Sequence, residues 1–106
     1  MLVVSSALIG ETVTITLYVY DADDNLTDPD GYPGEYPMIT IRKGETKYVS
    51  PVVVSDMDVH QSLGTFVYNW DTTGCQPGLY TVTARSVVDG LVRTPQKEFT
   101  LLSPGT

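Results

Sequence analysis

The sequence predicts a single all-β domain, a sandwich of about seven antiparallel strands that spans residues 1–106. A chain of 106 residues can bury one hydrophobic core but is too short for two. Hydrophobic residues make up 42% of it and charged residues only 18%, a balance that favours a folded core over disorder. Several segments also alternate apolar and polar residues between turn-forming stretches, which is typical of strands.

The clearest alternation lies in residues 11–20. Every second side chain there is apolar: Val13, Ile15, Leu17 and Val19. The other side is a row of threonines that ends in Tyr18 and Tyr20. A period of two predicts a strand with one buried face. The tyrosine side is a candidate protein-binding surface, although threonine and tyrosine also favour strands by propensity alone.

The same reasoning predicts the other strands. The apolar run at residues 2–4 is expected to form the first strand of the domain, with pairing to a neighbouring subunit as the alternative. Further strands are expected at 36–42, 47–55, 65–70, 79–88 and 91–102. Their inward side chains are expected to be Ile39, Ile41, Phe66, Tyr68, Trp70, Tyr80, Val82, Ala84, Phe99 and Leu101.

Turn chemistry separates these strands. Residues 21–35 are dense in Asp, Asn, Gly and Pro, which predicts a long loop, and residues 43–46 predict a turn. Pro51 limits its strand to a sheet edge or a bulge, because proline has no N–H to donate. Asp89-Gly90 predicts a type I′ hairpin, since both central positions of that turn need a positive φ.

Two motifs carry a family resemblance: Gly64-Thr65-Phe66-Val67-Tyr68-Asn69-Trp70 and Pro77-Gly78-Leu79-Tyr80-Thr81-Val82-Thr83-Ala84. The second resembles the penultimate strand of bacterial and phage immunoglobulin-like domains. Together with residues 10–29, the chain is similar to small immunoglobulin-like structural proteins of tailed phages and to modules of bacterial surface proteins. The resemblance implies a tyrosine corner at Tyr80, whose hydroxyl bonds back to the chain upstream. The inter-sheet cysteine pair of antibody domains is absent, and Trp70 occupies a different strand, so an antibody-type or receptor-type domain is disfavoured.

The net charge of −7 is concentrated at one end of the sequence. Residues 1–35 contain seven acids and no Lys or Arg, whereas the six acids and six bases of residues 36–106 balance. An acidic chain with no basic patch is a poor partner for nucleic acid. The N-terminal apolar run lacks a preceding base and is too short for a signal peptide or a membrane span, so we expect synthesis in the cytosol and no membrane contact.

The acidic loop contains candidate calcium ligands. Asp21, Asp23 and Asn25 match the first positions of a calcium loop, because hard cations prefer clustered oxygen ligands. The match then fails, since Leu26 replaces the turn glycine and Tyr32 replaces the bidentate glutamate. The weak candidates are Asp21, Asp23, Asn25, Asp28 and Asp30, with Asp56 or Asp58 as further ligands. We expect a solvated acidic loop and no cofactor, with calcium as the alternative.

Residues 31–37, Gly-Tyr-Pro-Gly-Glu-Tyr-Pro, join two tyrosines to stiff prolines. Tyrosine gives wide amphipathic contact at low entropic cost, so Tyr32 and Tyr36 are candidates for protein binding. The alternative is that both rings only cap the end of the sandwich. Trp70 and Tyr80 are expected to be structural.

The sequence predicts no catalytic site. Cys75 is the sole cysteine, which excludes an intramolecular disulfide. His60 and Cys75 could form a nucleophile and base, but without an oxyanion motif we expect surface residues. The triplet Asn25-Leu26-Thr27 fits a glycosylation signal, which needs a secretory route that the sequence does not indicate.

These observations predict a non-enzymatic virion protein, such as a capsid decoration or a head or tail component, that acts through contacts with other virion proteins or through self-association. The alternative is an immunoglobulin-like module of a secreted or cell-surface adhesin, surface-layer protein or fibre, in one version stabilised by calcium. Carbohydrate binding is disfavoured because Trp70 is predicted to lie in the core.

Overall fold

The computed structural model describes residues 1–5, 8–44 and 51–103. Within these ranges the chain forms strands and connecting loops, without a helix. No described segment is therefore a helix with the length and apolar character needed to cross a bilayer. The nine strands are β1 (Leu2–Val4), β2 (Thr12–Tyr18), β3 (Met38–Lys43), β4 (Pro51–Asp56), β5 (Val59–Ser62), β6 (Thr65–Asp71), β7 (Gly78–Val88), β8 (Leu91–Arg93) and β9 (Gln96–Leu101).

The strands form two antiparallel sheets. One sheet has four strands in the order β1-β2-β6-β5. The other has five: β4, β3 and β7 in that order, with β8 and β9 both paired to the far side of β7. The prediction of antiparallel strands without helices is therefore confirmed for the described residues. The apolar run at residues 2–4 forms the first strand within the domain, as expected, and pairs with β2.

Both sheets contribute to a single hydrophobic core. Val13, Ile15 and Leu17 of β2 are at most 1% exposed, as the alternation predicted. From the opposite sheet, the inward residues of β3 and β7 are equally buried: Ile39, Ile41, Val82 and Ala84. All of them belong to one cluster. The two layers therefore meet through every second side chain, in a sandwich-like arrangement.

The expected strand number was wrong. Val59–Ser62 forms a strand that was not predicted, and the expected final strand over residues 91–102 is divided into β8 and β9. The division falls at Pro95, which has no N–H, although its carbonyl still accepts the Ala84 N–H at 3.1 Å. Both halves keep one continuous register with β7.

The observed bounds of the third and fourth strands differ from the predicted ones by a few residues. The second long strand begins at Met38 rather than Tyr36, and the following one begins at Pro51 and ends at Asp56. Residues 47–50 of that predicted strand, and residues 45–46 of the predicted turn, lie outside the described residues. β4 is an edge strand with an irregular register beside Pro51, as predicted for that proline.

The loop and hairpin predictions are confirmed. Residues 21–35 contain no strand. Asp89 and Gly90 have φ values of 52° and 78°, so both central positions of the β7–β8 turn adopt the left-handed region that a type I′ turn requires.

Trp70 and Tyr80 lie deep in the core. Trp70 is 4% exposed, and its ring meets that of Tyr80 edge to face with centroids 5.4 Å apart. The Tyr80 hydroxyl donates a hydrogen bond to the carbonyl of Gln76 at 2.7 Å, which is the upstream bond that the family resemblance implies. Burial raises the pKa of Tyr80, so the phenol remains a donor.

Replacing Ile41 with alanine tests the core. Ile41 is fully buried between the sheets, so Ile41→Ala should lower the free energy of unfolding by about 2–5 kcal/mol, measured by urea denaturation. The control Leu91→Ala, at a side chain that is 59% exposed, should change it by less than about 0.5 kcal/mol. Equal effects of the two substitutions would contradict the two-layer core.

Candidate functional site

The candidate site is built on part of the connection between β2 and β3, which forms several side-chain hydrogen bonds to other elements. We call residues 28–37 the tyrosine loop. It covers the end of the core beside β5, the β5–β6 turn and the β7–β8 hairpin, and side chains of Asp28, Asp30 and Tyr32 fasten it to these elements.

Asp28 is the first fastening point. Its Oδ1 accepts one hydrogen bond from the backbone N–H of Gly64 at 2.8 Å and lies 2.8 Å from Nε2 of His60. The Gly64 N–H is the largest influence that lowers the pKa of Asp28, and His60 adds to it, while partial burial opposes both. Asp28 is therefore an ionised acceptor at neutral pH.

His60 links Asp28 to Tyr32. Because an ionised carboxylate can only accept, Nε2 of His60 must carry the proton of that contact. In the neutral imidazole, Nδ1 is then an acceptor, and it lies 2.9 Å from the Tyr32 hydroxyl. The two rings also overlap, with centroids 4.3 Å apart. Tyr32 is thus held by both a hydrogen bond and ring contact.

Gly64 lets Asp28 approach the β5–β6 turn. Its φ of +66° lies in the left-handed region, and a Cβ there would meet the backbone N of Thr27 at 2.8 Å and the carbonyl of Val19 at 2.9 Å. The Gly64 carbonyl accepts the Val19 N–H at 2.8 Å. Only glycine allows these backbones to come so close.

An aromatic cluster connects the tyrosine loop to the core. Phe66 is fully buried, and the rings of Tyr32 and Tyr36 meet it edge to face with centroids 5.8 and 5.4 Å away. The two tyrosine rings are 5.7 Å apart. Burial raises the pKa of Tyr32, and the nearby Tyr36 and Asp28 raise it further. Its phenol therefore stays protonated and available as a donor to His60.

Asp30 fastens the other side of the loop. Its carboxylate accepts hydrogen bonds from the backbone N–H groups of Asp89, at 3.2 Å, and Gly90, at 2.8 Å. Its own N–H donates to the carbonyl of Val87 at 2.7 Å. The tyrosine loop is thereby tied to the five-stranded sheet as well as to β5 and β6.

A groove of about 1120 Å³ runs beside the loop. Its lining includes two apolar or aromatic side chains, three acids and one base: Met38, Tyr36, Asp30, Glu35, Asp56 and Arg85. Met38 is 43% exposed. This mixture suits a segment of protein that carries both an apolar and a basic side chain.

The four tyrosines predicted to bind protein lie in pairs at two different sites. Tyr32 and Tyr36 are neighbours in the tyrosine loop, and both are partly buried. Tyr18 and Tyr20 line a different and smaller cleft of about 360 Å³, together with Val92 and Arg93. Binding at either pair stays a prediction.

Three of the candidate calcium ligands, Asp21, Asp28 and Asp30, accept hydrogen bonds from backbone N–H groups. Oδ1 of Asp21 accepts the N–H groups of Asp23 and Asn25 at 2.9 and 3.0 Å, which closes a local turn. Asp28 and Asp30 face the other partners described above. Within the described part of the chain, no three His, Cys, Asp or Glu side chains form a group that could hold a metal ion.

The structure separates His60 from Cys75. His60 pairs with Phe66 near the start of β6, whereas the Cys75 N–H bonds to Thr72 just beyond the end of that strand. A strand of this length spans roughly 20 Å, so the two side chains cannot act as nucleophile and base. Burial raises the pKa of the Cys75 thiol, which keeps it protonated. His60 is partly buried rather than fully exposed: its side chain is 19% exposed and contacts partners through both ring nitrogens.

The pH dependence of stability tests the Asp28 contact. The folded-state pKa of Asp28 lies below its ordinary value of 3.8, so its contribution is present above that value and is lost as the pH falls through the folded-state pKa. Asp28→Asn should therefore destabilise the protein more at pH 7 than in acid below the folded-state pKa, measured by urea denaturation across pH. The control Asp23→Asn removes a carboxylate from the same β2–β3 connection, outside the tyrosine loop, and should have a smaller effect at pH 7. A loss of stability in Asp28→Asn that is the same at every pH would show that the negative charge of Asp28 does not stabilise the fold.

Metal addition and removal test the acidic loop. Because the Asp21, Asp28 and Asp30 carboxylates already accept backbone N–H groups, neither calcium nor EDTA should change the melting temperature in differential scanning calorimetry. A calcium-dependent rise that is lost in Asp21→Asn would identify the loop as a calcium site.

Comparison with known proteins supplies no relative: no protein-family model matches the chain, and neither the curated proteins nor the solved structures include a significant match. Function is therefore inferred from the geometry of the described residues and from the resemblance in the sequence.

Proposed function

We propose that this chain is a non-enzymatic structural or accessory protein of a virion, which docks on other virion proteins through the tyrosine loop and the groove beside it. The observation that carries the proposal is that this loop is fastened at three points, by Asp28, Asp30 and Tyr32, to three separate elements of the fold.

Fastening matters because binding by a loose loop costs conformational entropy. Ordering a mobile side chain at an interface costs about 0.5–1.5 kcal/mol, and a loop that is already ordered avoids much of that cost. The hydrogen bonds of Asp28, Asp30 and Tyr32 serve no catalytic step that we can identify. They do hold the exposed backbone of Pro33–Glu35 in one position, as a recognition surface requires.

The charge of the groove indicates the kind of partner. Asp30, Glu35 and Asp56 line it against a single Arg85, so its net charge is negative. A basic side chain of the partner would be attracted, and Met38 and Tyr36 offer apolar contact beside it. The partner surface that fits is therefore a basic segment with an apolar anchor.

The Asp28-His60-Tyr32 chain is better explained as a structural clamp than as a catalytic relay. Both His60 nitrogens are engaged, and Tyr32, whose pKa is raised, is a weak nucleophile. No described Ser or Cys side chain contacts His60 in this arrangement. These features support binding rather than catalysis.

We further propose that the sandwich is of immunoglobulin type. In such domains strands A, B, E and D form one sheet and C, F and G the other, as in the order β1-β2-β6-β5 facing β3-β7-β9. β4 then takes the place of C′, and β8 with β9 forms one G strand that Pro95 interrupts. The Tyr80–Gln76 bond near the start of β7 supports the same assignment. An adhesin module would share this fold, so the fold supports the domain type and the particle experiment below separates the two roles.

Particle attachment tests the function. Virus particles should retain the wild-type protein on gradient sedimentation, and immunogold electron microscopy should place it on their surface. Glu35→Lys reverses an exposed charge at the groove and should lower the bound fraction. The control Glu98→Lys makes the same change on β9, away from the loop, and should bind like the wild type.

Two results would contradict the proposal. Equal loss of attachment in both variants would show that general charge, not the tyrosine loop, determines binding. Detection of the protein on the surface of uninfected cells, with none on particles, would favour the adhesin alternative.

A further inference from the structure

The exposed edges of the two sheets differ in how well they are protected against pairing. β1 and β8 have three residues each, β5 has four with an irregular register, and β9 carries Lys97 and Glu98. Short length, irregularity and charge all discourage an edge from pairing with another strand. β4 has a proline and an irregular register at its start, but Pro51–Ser55 is the longest uncharged stretch among the edge strands of the described structure. It therefore offers the longest run of edge backbone without a charge against pairing.

Among the described residues, no strand pairs with the outer side of β4. Met57 donates its N–H to Pro37 at 2.8 Å, so Met57 faces β3. In an antiparallel pair this direction alternates along the strand, which makes Ser55 and Val53 face β3 as well. The N–H and C=O groups of Val54 and Asp56 therefore point to the open edge. The register shift falls at Val52, since Ile41 pairs with Val53 and Arg42 with Pro51, and it leaves Val53–Asp56 regular.

The side chains around this edge are apolar. Val54 is 60% exposed, Val52 is 49% exposed, and Met38 on the neighbouring β3 is 43% exposed. Exposed valines on an edge with free backbone groups favour addition of another strand.

Charge also favours a second copy at this edge. All Lys and Arg residues that the structure describes lie in the five-stranded sheet: Arg42, Lys43, Arg85, Arg93 and Lys97. The seven acids of residues 1–35 all lie in loops. Two copies that meet through β4 therefore join the two sheets that carry these bases, which lessens repulsion between chains of net charge −7.

We propose that β4 is a self-association edge, at which two copies of this chain pair antiparallel around a two-fold axis through Val54. Val54 of each copy then donates its N–H to the carbonyl of the other Val54. The two five-stranded sheets become one continuous sheet across the axis. An isologous interface requires a segment that matches itself, and the valines of β4 meet that requirement.

This register also pairs opposite charges. Asp56 of the second copy lies opposite Val52, and Arg42 of the first copy lies beside Pro51 on the next strand. Two strand spacings are about 10 Å, within the combined reach of Arg and Asp side chains on the same face. The Arg42 side chain and Asp56 of the other copy would face each other in this way twice per dimer.

The proposal does not require docking through the tyrosine loop, although Met38 and Asp56 also line the groove beside that loop, so Val54→Lys is the variant that separates the two. An edge-to-edge contact is small, so we expect weak association that becomes effective when a lattice or particle holds many copies close together.

Analytical ultracentrifugation tests the self-association. Between about 1 µM and about 1 mM, a range that spans moderate to weak dissociation constants, the wild type should shift from the 11.6 kDa monomer toward twice that mass. Val54→Lys places a charge on the axis and should remain monomeric. The matched control Leu91→Lys, at an equally exposed apolar residue of β8, should dimerise like the wild type. Circular dichroism checks that both variants fold.

A charge exchange tests the register. Asp56→Arg should weaken the dimer, and the double variant Asp56→Arg with Arg42→Asp should recover it. A wild type that stays monomeric up to about 1 mM would overturn the proposal, as would dimers that survive Val54→Lys. Particle attachment by a monomeric Val54→Lys protein would leave docking through the tyrosine loop intact.

Discussion

The carboxylate of Asp28 is the contact on which the geometry of the candidate site depends. One oxygen accepts the N–H of Gly64 and contacts His60, which in turn holds the hydroxyl of Tyr32. Three segments that are distant in sequence are thus fixed at one end of the core. Without this acceptor, the Gly64 N–H and the His60 Nε2–H would lose their partner, and the His60 ring that bonds Tyr32 would lose the contact that orients it.

The sheets hold most of the apolar side chains of the core, and the loops hold most of the acids. The two layers bury their alternate side chains and need no disulfide, since Cys75 is free and partly buried. The acids of residues 21–35 cannot be buried, so they lie in loops, where Asp21, Asp28 and Asp30 replace missing backbone partners. The Lys and Arg residues that the structure describes lie instead in the five-stranded sheet. This segregation leaves one acidic end suited to a basic partner and one edge suited to a second copy.

Local patterns predicted the sheets well and the site poorly. The alternation of residues 11–20 and the Asp89-Gly90 turn are short-range signals, and both were correct. β5 was missed because Val59–Ser62 has one apolar residue and no alternation, and its pairing with β6 stabilises it. The contact between Asp28 and His60 joins residues 32 positions apart, so no local spacing reveals it. The one histidine of the sequence, His60, lies close to Gly64, but this spacing does not predict a contact with Asp28.

Amide hydrogen exchange followed by NMR tests the central claim most directly, because it reads the fastening bonds one by one. The amides of Gly64, Asp89 and Gly90 lie in turns, where exchange is ordinarily fast, yet each donates to a carboxylate of the tyrosine loop. The account predicts that these three exchange markedly more slowly than the exposed amide of Gly74, also in a turn. Exchange of all four at the same fast rate would show that the loop is not held, and would contradict the account.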